Sequence, residues 1–216
     1  MKLTVFGATG GVGREVVRQA LDAGHEVTAV VRDATRLGVP EHPRLGVVEV
    51  RDVTDAEVLT EFVAGRDAVI SAIGAPSNAA AKAAPIAGPA LRAITTAMAA
   101  AGVRRLAAVS AAPVGPVPEG EGVFTRGVVL PIVRWAFRYA YVDLADMERV
   151  LAASDTDWTV VRPPQLTDKA RTGAYRSVIG GNVRGGRSIS RADVADALLA
   201  AVADPATVGR AVGVAA

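Results

Sequence analysis

The tightest constraint on this chain is a run of seven residues near its start. Gly7-Ala8-Thr9-Gly10-Gly11-Val12-Gly13 follows the short apolar stretch Leu3 to Phe6 and opens a stripe at Val12, Val16, Val17, Ala20 and Leu21. The first stretch reads as a buried strand and the stripe as one face of a helix. A glycine-rich turn between such elements suits few folds. Gly7 permits the tight turn, Gly10 lets a ligand approach the backbone, and Gly13 lets the helix pack close to the sheet. The free N–H groups that open the helix then offer a site for an anion. The bland alternative is an ordinary strand-to-helix turn, and the elements that follow weigh against it. A P-loop would end in Gly-Lys-Ser/Thr, but Gly13 is followed by Arg14. Nucleoside triphosphate chemistry is therefore disfavoured.

Beyond the loop, strands and helices alternate. Gly24 closes the first helix as a C-terminal cap. Val27 to Val31 and Val47 to Val50 read as the second and third strands. Asp55 to Val63 is a short helix capped by Thr54 or Asp55. Ala68 to Ala72 is a fourth strand, Pro85 to Ala101 an alanine-rich helix ended by Gly102, and Arg105 to Ser110 a fifth strand. Trp158 to Arg162 is a sixth. Arg191 to Ala203 is a helix capped by Ser190, with Asp193 complementing its dipole. A last strand is expected near Ala211 to Val214. This rhythm predicts an α/β, doubly wound parallel sheet of the Rossmann type, in three layers and one domain over residues 1–216. Two segments interrupt it, about 113–127 and 163–190. Both leave the carboxyl ends of strands, where ligands sit in such sheets. The glycine-rich part of the second, Gly180 to Arg187, reads as a β-hairpin or a flexible loop.

In this setting the glycine loop identifies a dinucleotide. Its spacing is three then three, not the commoner two then three. The end of the second strand selects which dinucleotide. NAD sites place an acid there for the ribose hydroxyls; here the strand ends Val31-Arg32-Asp33. A guanidinium at Arg32 would pair with a 2′-phosphate, so NADP(H) is expected over NAD(H). Asp33 stands one residue on and either serves the ribose or turns the chain. Asp52 and Val53, after the third strand, are candidates for adenine contact, with Asp52 as a turn cap the plain alternative. Ala72, Ile73 and Gly74 end the fourth strand with small residues that leave room for ribose and phosphates.

Composition removes other functions. The chain has no cysteine, which excludes disulfides, thiolate metal sites and cysteine nucleophiles. The two histidines, His25 and His42, have no carboxylate pattern near them, and no metal is expected. The formal charge is only +2 and the arginines are scattered, so no nucleic-acid partner is expected. Neither a signal peptide nor a spanning helix is visible. The expectation is a soluble cytoplasmic protein without membrane contact, monomeric or homodimeric.

Several segments together resemble a known family. Gly7 to Gly13, Val31-Arg32-Asp33, Ser71-Ala72-Ile73-Gly74, Val109-Ser110-Ala111 and Trp158-Thr159-Val160-Val161-Arg162-Pro163-Pro164 are similar to the atypical short-chain dehydrogenase/reductases. Within them the likeness is to NAD(P)H-binding proteins of the biliverdin/flavin reductase and NmrA-like type. Thr172-Gly173-Ala174-Tyr175 resembles the flavin-reductase branch. The resemblance implies that Gly7, Thr9, Gly10, Gly11, Val12 and Gly13 hold the pyrophosphate and that Arg32 and Arg36 take the 2′-phosphate. It implies that Asp52 and Val53 meet the adenine. It places Ser110 beside the nicotinamide, and Pro163, Pro164, Gln165 and Leu166 on its carboxamide side.

The catalytic pattern departs from the family. Short-chain dehydrogenases pair a tyrosine with a lysine four residues on. Here Tyr139 is followed by Asp143 and Tyr141 by Ala145. The lysines, Lys2, Lys82 and Lys169, do not complete that pattern. Alcohol dehydrogenation, which needs proton transfer at oxygen, is disfavoured. Hydride transfer to a conjugated acceptor, a flavin or quinone, asks less of the protein. Ser110 is the candidate catalytic contact; its plain alternative is a strand-end hydroxyl bonded to the backbone. The rival function is a non-catalytic NADP(H)-binding redox sensor acting through a protein partner.

Three further readings complete the expectations. Tyr141 is expected on a helix face packed in the core. Asp143, Asp146 and Glu148 are expected to form a solvated helix face. The apolar run Gly127 to Tyr139 carries three cations. It suits a substrate lid, a partner surface or a membrane-surface helix, but the simplest reading is a core-covering helix with Pro131 in its first turn.

Overall fold

A computed structural model describes residues 1–216. The strands are β1 (Lys2–Phe6), β2 (Glu26–Val31), β3 (Leu45–Glu49), β4 (Ala68–Ser71), β5 (Arg105–Val109), β6 (Asp157–Arg162), β7 (Gln165–Thr167), β8 (Arg176–Ile179), β9 (Ser188–Ser190) and β10 (Arg210–Ala215). Eight of them form one sheet in the order β3-β2-β1-β4-β5-β6-β10-β8. All its pairings are parallel except β10 with β8. The order reverses between β1 and β4, which defines the crevice of a doubly wound, Rossmann-like fold. β7 and β9 pair separately, parallel, beyond the end of β6.

The helices are α1 (Gly11–Asp22), α2 (Ala56–Val63), α3 (Asn78–Ala83), α4 (Ala87–Ala101), α5 (Leu130–Ala136), α6 (Arg138–Ala152) and α7 (Arg191–Ala203). Side chains alternate across each strand, so the sheet feeds two cores. Leu3 and Val5 face α1 and α7, meeting Val16, Val17, Val194 and Leu198. Phe6, Val69 and Leu106 face the other layer, with Leu59 of α2, Leu91, Ile94 and Met98 of α4, and Met147 and Leu151 of α6. The predicted three layers and nearly every predicted element are present.

The segments 113–127 and 163–190 lie against each other. Asn182 donates to the carbonyls of Ala112 and Pro116 at 2.8 and 2.9 Å, and Glu121 accepts from the Gly185 amide at 3.0 Å. Gly180 to Arg187 is a loop between β8 and β9 rather than a hairpin, because β8 pairs with β10.

Two expectations are corrected. Asp143, Asp146 and Glu148 do not form a solvated face. Asp143 is buried, and its carboxylate accepts the backbone N–H groups of Ile86, Ala87 and Gly88 at 2.9 to 3.0 Å. It caps α4 from a neighbouring helix, satisfying donors that open every helix without intrahelical partners. Asp146 pairs with Arg92 and Arg149, and Glu148 takes both arms of the Arg162 guanidinium. The run 127–139 does contain a helix with Pro131 near its start, but it covers no core. Thr125–Val129 is a π-helical turn leading into α5, and neither contains a buried residue. The sequence also does not announce α3, which lacks an apolar stripe and depends on Ser77, whose hydroxyl caps the Ala80 amide.

Candidate functional site

The glycine loop sits where the sheet order reverses. Gly7 has φ +73°, a conformation that strains any other residue. A Cβ there would lie 2.7 Å from the Ala72 carbonyl carbon at the end of β4. At Gly13 a Cβ would run into the Gly7 carbonyl. The chain can turn this tightly only because neither position carries a side chain. Gly10 donates to the Gly7 carbonyl at 3.0 Å, and its own carbonyl receives the Arg14 amide at 2.8 Å. The amides of Gly11, Val12 and Gly13 bond to no other backbone group. No side chain caps α1, and no acid stands in its first turn. The positive end of a twelve-residue helix is thus presented uncompensated above the crevice. These features fit a pyrophosphate on an open cradle of backbone donors.

Arg14 ties this cradle to the next strand's loop. Its guanidinium donates to the carbonyls of Leu37 (2.8 Å), Arg36 (3.1 Å) and Thr9 (3.4 Å). The loop after β2 is therefore positioned by the helix that would bind the phosphates. Arg32 and Arg36 are exposed on it, and neither side chain is engaged in a salt bridge. Asp33 turns the chain: its carboxylate accepts from the Thr35 amide at 3.0 Å and hydroxyl at 2.6 Å. The Thr35 hydroxyl bond, foremost, holds this carboxyl below its usual range. Asp52 behaves alike after β3, accepting from the Thr54 amide and hydroxyl, while Asp55 caps α2. Those Thr54 bonds hold Asp52 low. One oxygen of the Asp52 carboxylate is turned to Thr54, and Asp52 stands exposed beside a half-buried Val53.

The reacting end lies across β4, β5 and β6. Ala72 packs against the α1 core and Ile73 against the α4 core, while a Cβ on Gly74 would meet open space. Ser110 ends β5. It is 4% exposed, and its amide donates to the Val161 carbonyl at 2.8 Å. Its hydroxyl has no partner in the protein, so the plain alternative, a hydroxyl bonded to the backbone, does not hold. A buried hydroxyl left unbonded is costly and calls for an explanation, a catalytic role or an ordered water among them; the Ser71 hydroxyl at the end of β4 shares this condition. Pro163 is buried, and its carbonyl receives the Ala112 amide at 2.8 Å, tying the loop after β5 to that after β6. Gln165 and Leu166 belong to β7 and pair with Ser188 and Ile189. The other marked residues lie at or just beyond the carboxyl ends of six adjacent strands, while Gln165 and Leu166 stand beyond β6 in the separate pair of β7 and β9. From Arg32 to Ser110 that edge crosses three interstrand steps, about 14 Å.

Several residues at this edge carry no signal in the sequence. Arg191, opening α7, lies over the cradle: a Cβ on Gly11 would meet its Cδ at 2.6 Å, and its guanidinium pairs with Asp168 at 2.5 Å. Lys82 of α3 stands 5.5 Å from the Tyr139 ring centre, and the Arg138 guanidinium 4.5 Å from it. The Arg138 hydrogen bond, then its charge and that of Lys82, lower the Tyr139 phenol. A lysine does approach a tyrosine, then, but over the ring face and from another helix. Tyr141 is half-buried against Phe137, and burial raises its phenol. The stretch Thr172 to Tyr175 proves to be a clasp. Asp193, 1% exposed, accepts from the Thr172 and Gly173 amides and from the Ser190 and Thr172 hydroxyls. Burial opposes its charge, but these bonds prevail and hold the carboxyl low. The Tyr175 hydroxyl donates to Asp196 at 2.9 Å.

The model of the NAD(P)H-binding family matches residues 7–205. The chain belongs to that NAD(P)H-binding family. Relatives agree with the placement. The Bacillus subtilis protein YwnB, itself uncharacterized, is 32% identical over 92% of this chain and 91% of its own length. A Streptomyces 3-diazoavenalumate denitrifying reductase is 35% identical over 75% of this chain and 55% of its own length. The crystal structure of a Veillonella parvula short-chain dehydrogenase/reductase in complex with NADP superposes with a TM-score of 0.79 at 21% identity. It covers 100% of this chain and 94% of that one. No helix of the fold is long and apolar enough to cross a membrane, and no group of acids and histidines is arranged to hold a metal.

Proposed function

We propose that the protein is an NADPH-dependent reductase that delivers a hydride to a flat conjugated acceptor of the flavin or quinone class. A bound dinucleotide would supply the hydride. The chain's part is to hold and orient it. The first-turn amides of α1 receive the pyrophosphate, and Arg32 and Arg36 face the 2′-phosphate. The preference for NADPH rests on Arg32 and Arg36, which are exposed at that strand end and engaged in no salt bridge, while Asp33 turns one oxygen to Thr35. Ser110, whose buried hydroxyl has no partner in the protein, stands at the end of β5 and would donate to the nicotinamide carboxamide or to a carbonyl of the acceptor. The name of the Streptomyces relative, a reductase, and the NADP held by the Veillonella structure are in keeping with this reading.

One observation carries the choice of acceptor. The position four residues past Tyr139, where the family pattern sets a lysine, is Asp143, and its carboxylate is spent on three backbone amides. The site is therefore not built to drive a proton onto an alcohol oxygen. A conjugated acceptor spreads the added charge and takes its proton from water, leaving orientation as the protein's main contribution.

The test is NADPH oxidation with FMN, a soluble quinone and dichlorophenolindophenol in parallel. Turnover at or above about 1 s⁻¹ with one of them supports the reading. Tight NADPH binding without turnover on any of the three would favour the sensor role instead.

A further inference from the structure

We propose that residues 123–137 are an interfacial anchor that seats the protein on an anionic lipid surface. This run is the most exposed apolar stretch of the molecule. Val123 is 89% exposed, Phe124 70%, Ile132 59%, Trp135 70% and Phe137 50%. Phe124, Val128, Ile132 and Trp135 are spaced four, four and three residues apart, so they share one side of a continuous helical run. A stripe of this kind, with an indole and a phenyl ring at its two ends, has the form of a helix that lies in a headgroup region.

Charge selects the occupant. Between Gly122 and Val142 the charged residues are Arg126, Arg134 and Arg138, with no acid among them. Arg126 is exposed and has no ion-pair partner. Arg138 stacks 5.5 Å from the Trp135 ring, which places a cation beside the residue best suited to the interface. Two copies meeting through this face would bring six arginines together with no acid to offset them, which argues against self-pairing. A surface of acidic lipid complements the same three charges, each worth about a fivefold gain in partition. The expectation of no membrane contact rests on the lack of spanning segments and does not bear on a helix lying flat.

The helix is also fixed to the body. Arg134 donates to the carbonyls of Pro113 and Gly115 at 3.0 and 3.1 Å, in the turn that follows Ser110. Docking through the stripe would therefore bring the carboxyl rim of β5 up to the lipid surface. The anchor stands on the surface alone, whichever acceptor the site reduces.

The test is co-sedimentation of the full chain with vesicles of phosphatidylcholine alone and with roughly one-third phosphatidylglycerol. We expect at least about tenfold stronger partition onto the anionic vesicles, lost in high salt. The double variant I132S/W135A should lower that partition at least about tenfold, and Arg126→Glu by about twentyfold or more. NADPH titration of each variant should match the unaltered protein, which shows that the fold is intact. Equal partition onto both vesicle types would overturn the anchor, as would no partition at all. Sedimentation velocity then separates the alternatives: a concentration-dependent dimer broken by the same substitutions would make this face a contact between copies.

Discussion

Two loops leave the same edge of the sheet and could hardly differ more. The loop after β1 has no side chain where it turns, and its glycines are enclosed by the backbone of β4 and by its own carbonyls. The run after β5 is rich in large side chains, and those of α5 and its π-turn include no buried residue. The first is determined from within, because alternatives clash. In the second, the stretch of α5 and its π-turn is tied to the body through Arg134 and presents its apolar side outward. The contrast separates two tasks. Cofactor geometry is built into the fold, whereas what the second run meets lies outside the molecule.

Substitutions in the two regions should have different consequences. The largest effect is expected at Gly7→Ala, where a Cβ meets the Ala72 backbone and φ is positive. NADPH affinity should fall at least about 100-fold in calorimetry, with a lowered Tm. Next comes a pair of aliphatic truncations measured by urea unfolding. Leu91→Ala, in the α4 core, should cost about 2–5 kcal/mol, while Ile132→Ala on the exposed run should stay within about 0.5 kcal/mol. Equal costs would mean that the run is packed after all.

Smaller still is Asp193→Asn, which weakens the clasp of Thr172 and Gly173 onto α7 by about 1–3 kcal/mol near neutral pH. Because the folded-state pKa of Asp193 is lowered, its contribution is present above the ordinary carboxylate range and lost as pH falls through the lowered value. The stability gap between the two proteins should therefore close on acidification below about pH 4. The smallest effect is expected at Tyr139→Phe. If water supplies the proton, turnover with a quinone should change less than about threefold; a loss of about 100-fold would make the phenol beside Lys82 and Arg138 the acid and redirect the acceptor class.

Much of this was readable in the sequence, for physical reasons that particular residues make plain. The strands and the glycine loop show themselves because periodicity and backbone freedom are local properties. The family resemblance sets Ser110 beside the nicotinamide, and the unbonded hydroxyl emerges only from the packing around it. The role of Asp143 has no local signature, because its partners are 55 to 57 residues away along the chain. Its burial does have one: Asp143 stands four and eight residues before Met147 and Leu151, on the buried stripe of α6. An acid in such a stripe must have donors waiting. Arg191 over Gly11 and Lys82 over Tyr139 join elements distant in sequence, and no local pattern announces either. The Thr172-Gly173-Ala174-Tyr175 motif, suggestive of a flavin-reductase branch, serves here to dock its loop on α7.

The proposed preference for NADPH puts the 2′-phosphate on Arg32 at the end of β2. Calorimetric titration of NADPH and NADH into the unaltered protein and into Arg32→Ala tests it most directly. The account expects tighter binding of NADPH by the unaltered protein. It expects a loss of more than about tenfold for NADPH in the variant, and almost none for NADH. Equal losses for both cofactors, or no preference to begin with, would contradict it.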